Sequence, residues 1–346
     1  MKKTRIAING FGRIGRLFFR QILETKGVSV VAINDLGDIE NLAYLLKYDS
    51  VYRAYDKSVD FKKDESGVGG ELIVDGQVIK VVQEKDPAKL PWGDMQIDIA
   101  VESTGVFESF EKSRAHLTAG AKRVVITAPA KDEEQDDAKT VLLGINEDQM
   151  KVCKITSNGS CTTNATHPVV AIMHESIGIK KAFLATTHGY TATQNLVDGP
   201  TKGHDFRRGR AAAINISPSF TGAAISVTRP IPELQGKFDG LAYRVPIATG
   251  SLGDLTFVAK RNTTVEEVNE IFKKAAKDPR WEGILKVTED QIVSSDVIGE
   301  SYGSIVDLTY TKVVDGDLVK VLSWYDNEWG YVSTLVKHVI KVSEVL

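Results

Sequence analysis

The sequence has few cysteines and no long apolar run. Only two of its 346 residues are cysteine, Cys153 and Cys161, and they are not spaced as a CxxC pair. This spacing argues against a disulfide framework and against a zinc site, because no paired Cys and His clusters accompany it. No apolar stretch is long enough to cross a bilayer, and polar residues interrupt any signal-peptide core. We therefore expect a cytoplasmic protein that binds no metal.

The chain also lacks a large excess of charge of one sign. It has 43 Lys and Arg against 46 Asp and Glu, a formal net charge of -3. Nucleic acids and anionic membranes favour basic surfaces, so neither is predicted as a partner. The length and the 42% apolar content are sufficient for two domains with buried cores.

The first half of the chain predicts a parallel sheet. Residues 4–9 form an apolar strand, residues 13–25 carry apolar side chains at helical spacing, and residues 28–33 form a second apolar strand. This is the order and size of a βαβ unit. Further strands are predicted at 97–101 and 123–127, with a helix at 110–119 and a hairpin signal at Asp75-Gly76.

After about residue 160 the pattern changes to strands with few helices between them. A helix is predicted at 162–177, a second at a capping box at 264–267, and a third, amphipathic, at 332–345. Several strands in succession favour an antiparallel sheet. These strands are predicted at 182–187, 241–246, 254–260, 304–311 and 318–325. The fold class is therefore α/β, a Rossmann-type parallel sheet domain plus an α+β domain with a mostly antiparallel sheet.

A glycine-rich turn joins the first strand to the first helix. Gly10, Gly12 and Gly15 match GxGxxG, and Asp35 follows the second strand twenty residues later. Such glycines permit a tight turn, close approach of the backbone to a pyrophosphate, and close packing of helix on strand. The helix N-terminus attracts the phosphates, and the carboxylate can bond a ribose diol but repels a 2′-phosphate. The pattern predicts an NAD site.

One thiol lies where a polar loop meets a helix. Cys161 stands in Ser160-Cys161-Thr162-Thr163-Asn164, and a helix N-terminus there stabilises a thiolate. Buried inert cysteine is the commoner fate of this residue type, but the polar neighbours favour a nucleophile. A histidine at a strand end, such as His188, can act as its base. The spacing of the residues does not by itself select among the histidines, which are His116, His167, His174, His188, His204 and His338.

Arginines and hydroxyl side chains gather in the second half of the chain. Arginine together with hydroxyls and backbone N–H groups suits phosphate, although solvated or interface-pairing arginines are more common. The residues concerned are Arg208, Arg210, Arg229 and Arg244, with Thr191, Ser219, Thr221 and Gly222 between them.

Eight segments carry a resemblance that runs in order from end to end of the chain. They are INGFGRIGR at 8–16, ITAPAKD at 126–132, SCTTN at 160–164, HGYTATQ at 188–194, DGP at 198–200, RAAA at 210–213, FTGAA at 220–224 and WYDNEWGY at 324–331. Together these segments resemble the phosphorylating glyceraldehyde-3-phosphate dehydrogenase family. The resemblance implies NAD-dependent oxidative phosphorylation of glyceraldehyde 3-phosphate to 1,3-bisphosphoglycerate in glycolysis or gluconeogenesis, by a homotetramer. It also implies an NAD-binding domain at 1–160 and 327–346 and a catalytic domain at 161–326.

The resemblance also implies residue roles. Cys161 is expected to form a thioester with the substrate, and His188 is expected to act as its base. The implied anion sites comprise Ser160, Thr162, Arg208, Thr221 and Gly222 for inorganic phosphate, and Thr191 and Arg244 for the substrate phosphate. The implied NAD contacts are Gly10, Gly12, Arg13, Ile14, Gly15, Asp35, Ser103, Thr104, Gly105, Thr127 and Asn327, the last orienting the nicotinamide carboxamide.

The chain departs from the family pattern at a few positions. Lys85, kept as a cofactor-binding candidate, stands where an arginine commonly contacts NAD, and Ala165 replaces a frequent second cysteine. The usual VPTPNVSVVDL segment reads VPIATGSLGDL at 245–255. Two alternatives stay open: an erythrose-4-phosphate dehydrogenase on the same scaffold, and a non-catalytic NAD-binding interaction protein.

Overall fold

The computed structural model describes residues 3–65, 67–201 and 203–346. The chain divides into two compact units. Among the described residues, none of the helices has both the length and the apolar character needed to span a membrane. The first unit comprises Met1–Val141, Glu147–Gly159 and Leu335–Leu346, and the second comprises Leu142–Asn146 and Ser160–Thr334.

The first unit begins with the βαβ order that its apolar periodicity predicts. The N-terminal strand is almost wholly buried, and the helix after it buries Leu17, Phe18 and Ile22. Its strands are β1 Thr4–Asn9, β2 Val28–Asn34, β3 Val59–Lys63, β4 Gly70–Val74, β5 Gln77–Val82, β6 Ile99–Glu102, β7 Arg123–Ile126, β8 Ala138–Thr140 and β9 Ile155–Ser157. Its helices are α1 Arg13–Ile22, α2 Ile39–Lys47 and α3 Phe110–Thr118.

The nine described strands of this unit form one sheet in the order β3-β4-β5-β2-β1-β6-β7-β9-β8. Pairing is parallel from β5 through to β8, and only β3 and β4 add antiparallel edges. Strands β5, β2, β1, β6 and β7 are therefore neighbours whose carboxyl ends meet at one edge, the position where open α/β sheets bind ligands.

The second unit carries longer strands. Its helices are α4 Cys161–Ser176, α5 Ala223–Thr228, α6 Val265–Ala275 and the start of α7 Trp329–Glu344, which continues into the first unit. Its strands are β10 Ile179–Gly189, β11 Ser217–Phe220, β12 Phe238–Val245, β13 Ser251–Ala259, β14 Leu285–Thr288, β15 Ser304–Val314 and β16 Leu318–Tyr325.

These seven described strands form a mixed sheet in the order β11-β12-β10-β13-β16-β15-β14. Four of the neighbouring pairs are antiparallel, and the β10·β12 and β14·β15 pairs are parallel. In β13 buried and half-buried residues alternate, which reflects the two-residue period of a strand with only one face in the core.

The predicted fold class is confirmed, because a mostly parallel sheet is followed by a mostly antiparallel one. Two helices, α2 and α5, were not predicted. A signal for α2 was present: Asp38 caps it by accepting from the Glu40 N–H, and Ile39, Leu42 and Leu46 are buried at helical spacing. Helix α5 has only six residues, too few to show a period.

The unit boundaries differ from the predicted domain limits in three places. Residues 142–146, 160 and 327–334, expected in the first domain, lie in the second unit. The start of α7 is held there by Asp326, whose Oδ1 accepts from the Glu328 and Trp329 N–H groups at 2.9 Å. A side chain at Gly330 would lie 2.6 Å from the Tyr302 carbonyl oxygen, so the helix backbone packs directly on the second unit.

Candidate active site

The glycine turn after β1 is built by backbone contacts that exclude larger residues. Gly10 has φ +92°, and a Cβ there would lie 2.6 Å from the Thr104 nitrogen. A Cβ on Gly15 would lie 2.1 Å from the Gly10 carbonyl oxygen, whereas Gly12 faces open space. The first and last glycines are thus required by packing, and the middle one leaves the N-terminus of α1 open to an anion.

Asp35 lies directly after β2 and is bound to this turn. Its Oδ2 accepts from the Phe11 N–H at 2.7 Å, and its Oδ1 accepts from the Gly37 N–H at 2.8 Å. A carboxylate has about four lone-pair directions. Each Asp35 oxygen accepts one hydrogen bond, so the remaining directions can accept the two hydroxyls of a ribose diol.

The other predicted cofactor residues follow the neighbouring strands. Ser103 Oγ donates to the Asn9 and Gly10 carbonyls at 3.0 and 2.7 Å. Thr104, Gly105 and Thr127 stand just after β6 and β7. The structure therefore brings these residues together with the glycine turn and Asp35 at the carboxyl edge of the parallel strands.

The predicted cofactor residues Arg13, Ile14 and Lys85 each lie in different surroundings. Arg13 pairs with Asp49 and lies over the Tyr52 ring, 5.7 Å from its centroid. Ile14 is half-buried in the first turn of α1. Lys85, after β5, is exposed and has no hydrogen-bond partner among the residues that the structure describes. Among the described residues, no hydrogen bond joins Lys85 to the glycine turn.

A buried polar network beneath the turn was not predicted. Asn34 Nδ2 donates to Asn9 Oδ1 at 2.7 Å, and Asn9 Nδ2 donates to Glu102 Oε2 at 2.5 Å. Trp92 Nε1 donates to His116 Nδ1 at 3.0 Å, so a neutral His116 carries its proton on Nε2, which faces Glu102 at 3.0 Å. The polar residues that end otherwise apolar strands, at 9 and 102, were the available signal.

Cys161 is the first residue of α4, and a capping box holds that end. Ser160 Oγ accepts from the Thr163 N–H at 3.0 Å, and the Ser160 N–H donates to Thr163 Oγ1 at 3.1 Å. Reciprocal bonds of this kind satisfy two helix-end donors. The helix is therefore rigid at the thiol, which lies at the positive end of its dipole.

His188 is the histidine that faces this thiol. It lies near the end of β10, is 3% exposed, and its Nε2 is 3.2 Å from Cys161 Sγ. Burial lowers the pKa of His188 from 6.5 to about 3, and the charge of Arg244 adds to the effect. Burial also raises the pKa of the Cys161 thiol, although Arg244 opposes this. Before substrate binds, burial thus favours an uncharged thiol beside an uncharged imidazole.

The second nitrogen of His188 has two competing neighbours. Arg244 Nη1 is 2.8 Å from Nδ1, and the Gly189 carbonyl oxygen is 2.7 Å from the same atom. A guanidinium only donates and a carbonyl only accepts, so Nδ1 can bond only one of them at a time. With Arg244 as the donor, the proton of a neutral His188 lies on Nε2 and faces Cys161.

Tyr325 lies beside this pair and was not predicted. Its hydroxyl is 2.8 Å from Thr186 Oγ1 and 3.0 Å from Thr162 Oγ1, and burial raises its pKa. The ring packs edge-on against His188 at 6.0 Å between centroids. Thr162, predicted as a phosphate contact, is thus already bonded to a buried phenol. The pattern of alternation in β16 marks Tyr325 as buried but does not identify its partners.

Arg208 is held by three side chains of its own unit. Its Nη2 donates to Ser219 Oγ at 2.9 Å and its Nη1 donates to Thr193 Oγ1 at 2.7 Å, while Asp205 pairs with its Nε at 3.2 Å. Burial lowers the pKa of Arg244, and the positive charge of Arg208 adds to the lowering. Two guanidinium groups that repel each other attract an anion between them.

The remaining predicted anion residues are more loosely arranged. Thr191 Oγ1 is 3.0 Å from Thr193 Oγ1, which links it to the partners of Arg208. Thr221 Oγ1 accepts from the Ala223 N–H at 3.2 Å, and Gly222 is exposed at the start of α5. In the described part of the chain, no hydrogen bond joins either Thr221 or Gly222 to Arg208.

Comparison with known proteins relates both halves of this arrangement to one family. The model described as "Glyceraldehyde 3-phosphate dehydrogenase, NAD binding domain" matches residues 4–110, and that described as "Glyceraldehyde 3-phosphate dehydrogenase, C-terminal domain" matches residues 160–327. The chain belongs to the glyceraldehyde-3-phosphate dehydrogenase family.

Individual members of the glyceraldehyde-3-phosphate dehydrogenase family are similar over nearly the whole chain. The enzyme of Clostridium pasteurianum is 48% identical over 96% of this chain and 97% of its own length. The enzyme of Thermotoga maritima is 51% identical with the same coverage, and that of Streptomyces coelicolor is 45% identical over 99% of both chains. The predicted family, enzyme class and cofactor are confirmed: this is an NAD-dependent dehydrogenase, and nothing favours the two alternatives.

Proposed function

We propose that this glyceraldehyde-3-phosphate dehydrogenase family member oxidises glyceraldehyde 3-phosphate with NAD and inorganic phosphate, and that Cys161 carries the substrate as a thioester. The observation that carries this proposal is the 3.2 Å contact between Cys161 Sγ and His188 Nε2 at the N-terminus of α4. A nucleophile within hydrogen-bond reach of a base is the arrangement that covalent catalysis needs.

The chemistry divides into two steps on one sulfur. Cys161 Sγ bonds to the aldehyde carbon as its proton passes to His188 Nε2, and His188 returns this proton to the former carbonyl oxygen, so that a hemithioacetal forms. A bound NAD would supply the hydride acceptor for the oxidation. As the hydride leaves the carbon, His188 Nε2 removes the hydroxyl proton, and a thioester remains. Phosphate oxygen then attacks the thioester carbon, the S–C bond breaks, and the sulfur takes up the proton held by His188 as 1,3-bisphosphoglycerate leaves.

His188 can act as this base only in one tautomer. Its Nδ1 must carry a proton that is donated to the Gly189 carbonyl, so that Nε2 is free to accept from Cys161. Because Arg244 competes for Nδ1, a substrate phosphate that attracts Arg244 favours the active tautomer. We accordingly assign the substrate phosphate to Arg244 and Thr191.

Inorganic phosphate is assigned to the hydroxyls and N–H groups near the thiol, with Arg208. The residues concerned are Ser160, Thr162, Thr221, Gly222 and Arg208. Arg208 is held ready by Ser219 and Thr193, which reduces the conformational entropy that it would lose on binding an anion.

NAD is assigned to the carboxyl edge of the parallel sheet. Asp35 is expected to bond the ribose diol and to disfavour NADP, and the N-terminus of α1 is expected to face the pyrophosphate. The further contacts proposed are Gly10, Gly12, Arg13, Ile14, Gly15, Lys85, Ser103, Thr104, Gly105 and Thr127, with Asn327 for the carboxamide.

Replacement of the thiol tests the assignment. Cys161→Ser should bind NAD normally but form no NADH from glyceraldehyde 3-phosphate and phosphate, and it should no longer be alkylated at this position by iodoacetamide. Cys153→Ser is the matched control, since Cys153 is buried and burial raises its thiol pKa. Substantial turnover by Cys161→Ser would refute the proposed nucleophile.

The assembly and location are also proposals. A homotetramer is supported by large apolar side chains that are exposed on the single chain between residues 196 and 225. A cytoplasmic location is supported by the two cysteines, both of which are free.

A further inference from the structure

The side-chain amide of Asn327 is held through its carbonyl oxygen. Asn327 Oδ1 accepts from Ser251 Oγ at 2.7 Å and lies 3.1 Å from Thr249 Oγ1. Asn327, Thr249 and Ser251 are all buried, with 4%, 3% and 1% of their surfaces exposed. In a buried site, a hydroxyl or amide that lacks its partner is costly, so these bonds constrain the amide strongly.

The hydrogens available at Ser251 determine which way the amide faces. The Gly189 N–H donates to Ser251 Oγ at 3.2 Å, which uses one lone pair of that oxygen. The Ser251 hydrogen then has Asn327 Oδ1 as its acceptor. In the reversed amide, Nδ2 would face Ser251 and leave the hydroxyl hydrogen unsatisfied. Asn327 Nδ2 is thus turned away, and among the described residues it has no hydrogen-bond partner.

Gly250 makes the contacts of Thr249 and Ser251 with Asn327 possible. Gly250 has φ +90°, and a Cβ there would lie 2.1 Å from the Ser294 carbonyl oxygen. The left-handed backbone lets the residues on both sides direct their hydroxyls at the same amide. Thr249 has one hydroxyl hydrogen, which Asn327 Oδ1 at 3.1 Å shares with Asp326 Oδ1 at 2.9 Å, an oxygen of the carboxylate that caps the start of α7. At the positions of Thr249 and Gly250, the usual family segment has Asn and Val.

We propose that the turn Thr249–Gly250–Ser251 is a positioning element that fixes the Asn327 amide with its NH₂ group towards the carboxamide oxygen of nicotinamide. The inference rests on the proposed function, which assigns the carboxamide to Asn327. The turn residues do not touch the cofactor. They act by preventing rotation of the amide. A rotated amide would present its oxygen, an acceptor, to the nicotinamide in place of its NH₂ group, a donor.

The test compares two ligands that differ only in the nicotinamide. NAD and ADP-ribose share the adenosine and the phosphates, but only NAD has the carboxamide. Ser251→Ala should weaken NAD binding about fivefold to tenfold, the loss of one neutral hydrogen bond. Thr249→Val removes a hydrogen that Asn327 shares with Asp326 and should weaken NAD binding by a smaller factor. Both variants should leave the ADP-ribose Kd unchanged. Titration calorimetry of the full chain measures both. Thr249→Ser, which keeps the hydroxyl, should restore the ratio of the two Kd values.

Thr256→Val is the matched control. Thr256 lies on β13, the strand that begins at Ser251, and its hydroxyl bonds Asp254 at 3.3 Å rather than Asn327. It should leave both Kd values unchanged. Equal weakening of NAD and ADP-ribose by Thr249→Val would overturn the positioning role, since a merely structural defect would affect both ligands.

A double-mutant cycle separates this inference from the proposed function. Asn327→Ala should itself lower the preference for NAD over ADP-ribose, and adding Thr249→Val should then cause no further loss. If Asn327→Ala leaves the preference unchanged, the assignment of Asn327 fails and the inference fails with it. If Asn327→Ala lowers the preference but Thr249→Val does not, only the positioning role is refuted.

Discussion

At the scale of single residues, burial alone does not distinguish a catalytic histidine from a structural one. His188 and His338 are both buried, and burial lowers the pKa of each from 6.5 to about 3. Their neighbours differ: His188 Nε2 faces the Cys161 thiol, whereas His338 Nε2 bonds Thr156 Oγ1 at 2.7 Å. The contact with the proposed nucleophile distinguishes His188 as the candidate base, and the pKa shift contributes only the protonation state that a base requires.

The structural histidine yields a prediction about acid stability. The pKa of His338 is lower in the folded protein than in the unfolded chain, so its neutral form stabilises the fold above about pH 6.5, and this contribution is lost as pH falls towards 3. When the pH falls from 7 to about 5, the free energy of unfolding of His338→Gln should decrease by about 2 kcal/mol less than that of the wild type. Urea titrations at the two pH values measure the difference.

The exposed His204 provides the control for this comparison. His204→Gln should show the same loss of unfolding free energy as the wild type between the two pH values. An identical loss in His338→Gln would show that the buried imidazole does not contribute to the acid sensitivity.

At the scale of elements, the N-terminus of α4 has a role that its apolar content does not reveal. The apolar residues of this helix make it a core element, and its buried face runs from Thr162 to Met173. Its first turn is ordered instead by the polar bonds between Ser160 and Thr163. This capping box places Cys161 on a rigid helix end, which supports a more precise active-site geometry than a loop would.

Removal of the cap should therefore affect the thiol as well as stability. Ser160→Ala should lower the free energy of unfolding by about 1 kcal/mol and slow the alkylation of Cys161 by iodoacetamide. Thr264→Ala removes the corresponding cap of α6, where Thr264 Oγ1 accepts from the Glu267 N–H at 3.2 Å. This control should lose similar stability without a change in alkylation rate. Equal alkylation rates in the two variants would contradict a positioning role for the α4 cap.

At the scale of the whole molecule, the exposed apolar side chains of the second unit support the proposed association between chains. A soluble monomer rarely exposes so many large apolar residues within one short segment. Their exposed fractions lie between 71% and 82%, and they are Leu196, Val197, Phe206, Ile214, Ile216 and Phe220.

The proposed homotetramer predicts a native mass four times the 37.8 kDa of one chain. Light scattering after size-exclusion chromatography should give this value for the wild type and a smaller one for Phe220→Asp, because a charge buried in an interface without a partner is costly. Val152→Asp is the control, since Val152 is 61% exposed outside this segment. A tetramer that persists in Phe220→Asp would exclude this segment from the interface.

Much of the architecture was predictable from local patterns. Apolar periodicity was sufficient for the βαβ start, for α4 and for the change from a parallel to an antiparallel sheet, because each depends on residues close in sequence. The predicted domain limits differ from the compact units at 142–146, 160 and 327–334, since membership of a unit depends on contacts such as that of Gly330 with Tyr302. Helix α5 was missed because six residues carry too little periodicity.

The sequence by itself determined the family and the NAD fingerprint and predicted the nucleophilic thiol, because each depends on contiguous motifs. Spacing alone did not select His188 among six histidines; the family resemblance indicated it, and only the tertiary structure shows its Nε2 3.2 Å from the sulfur of Cys161, 27 residues away. It also placed Ser251 against Asn327, 76 residues apart, and Tyr325 against Thr162. Such contacts depend on strand register and helix packing, which arise from the whole core rather than from any local run of residues.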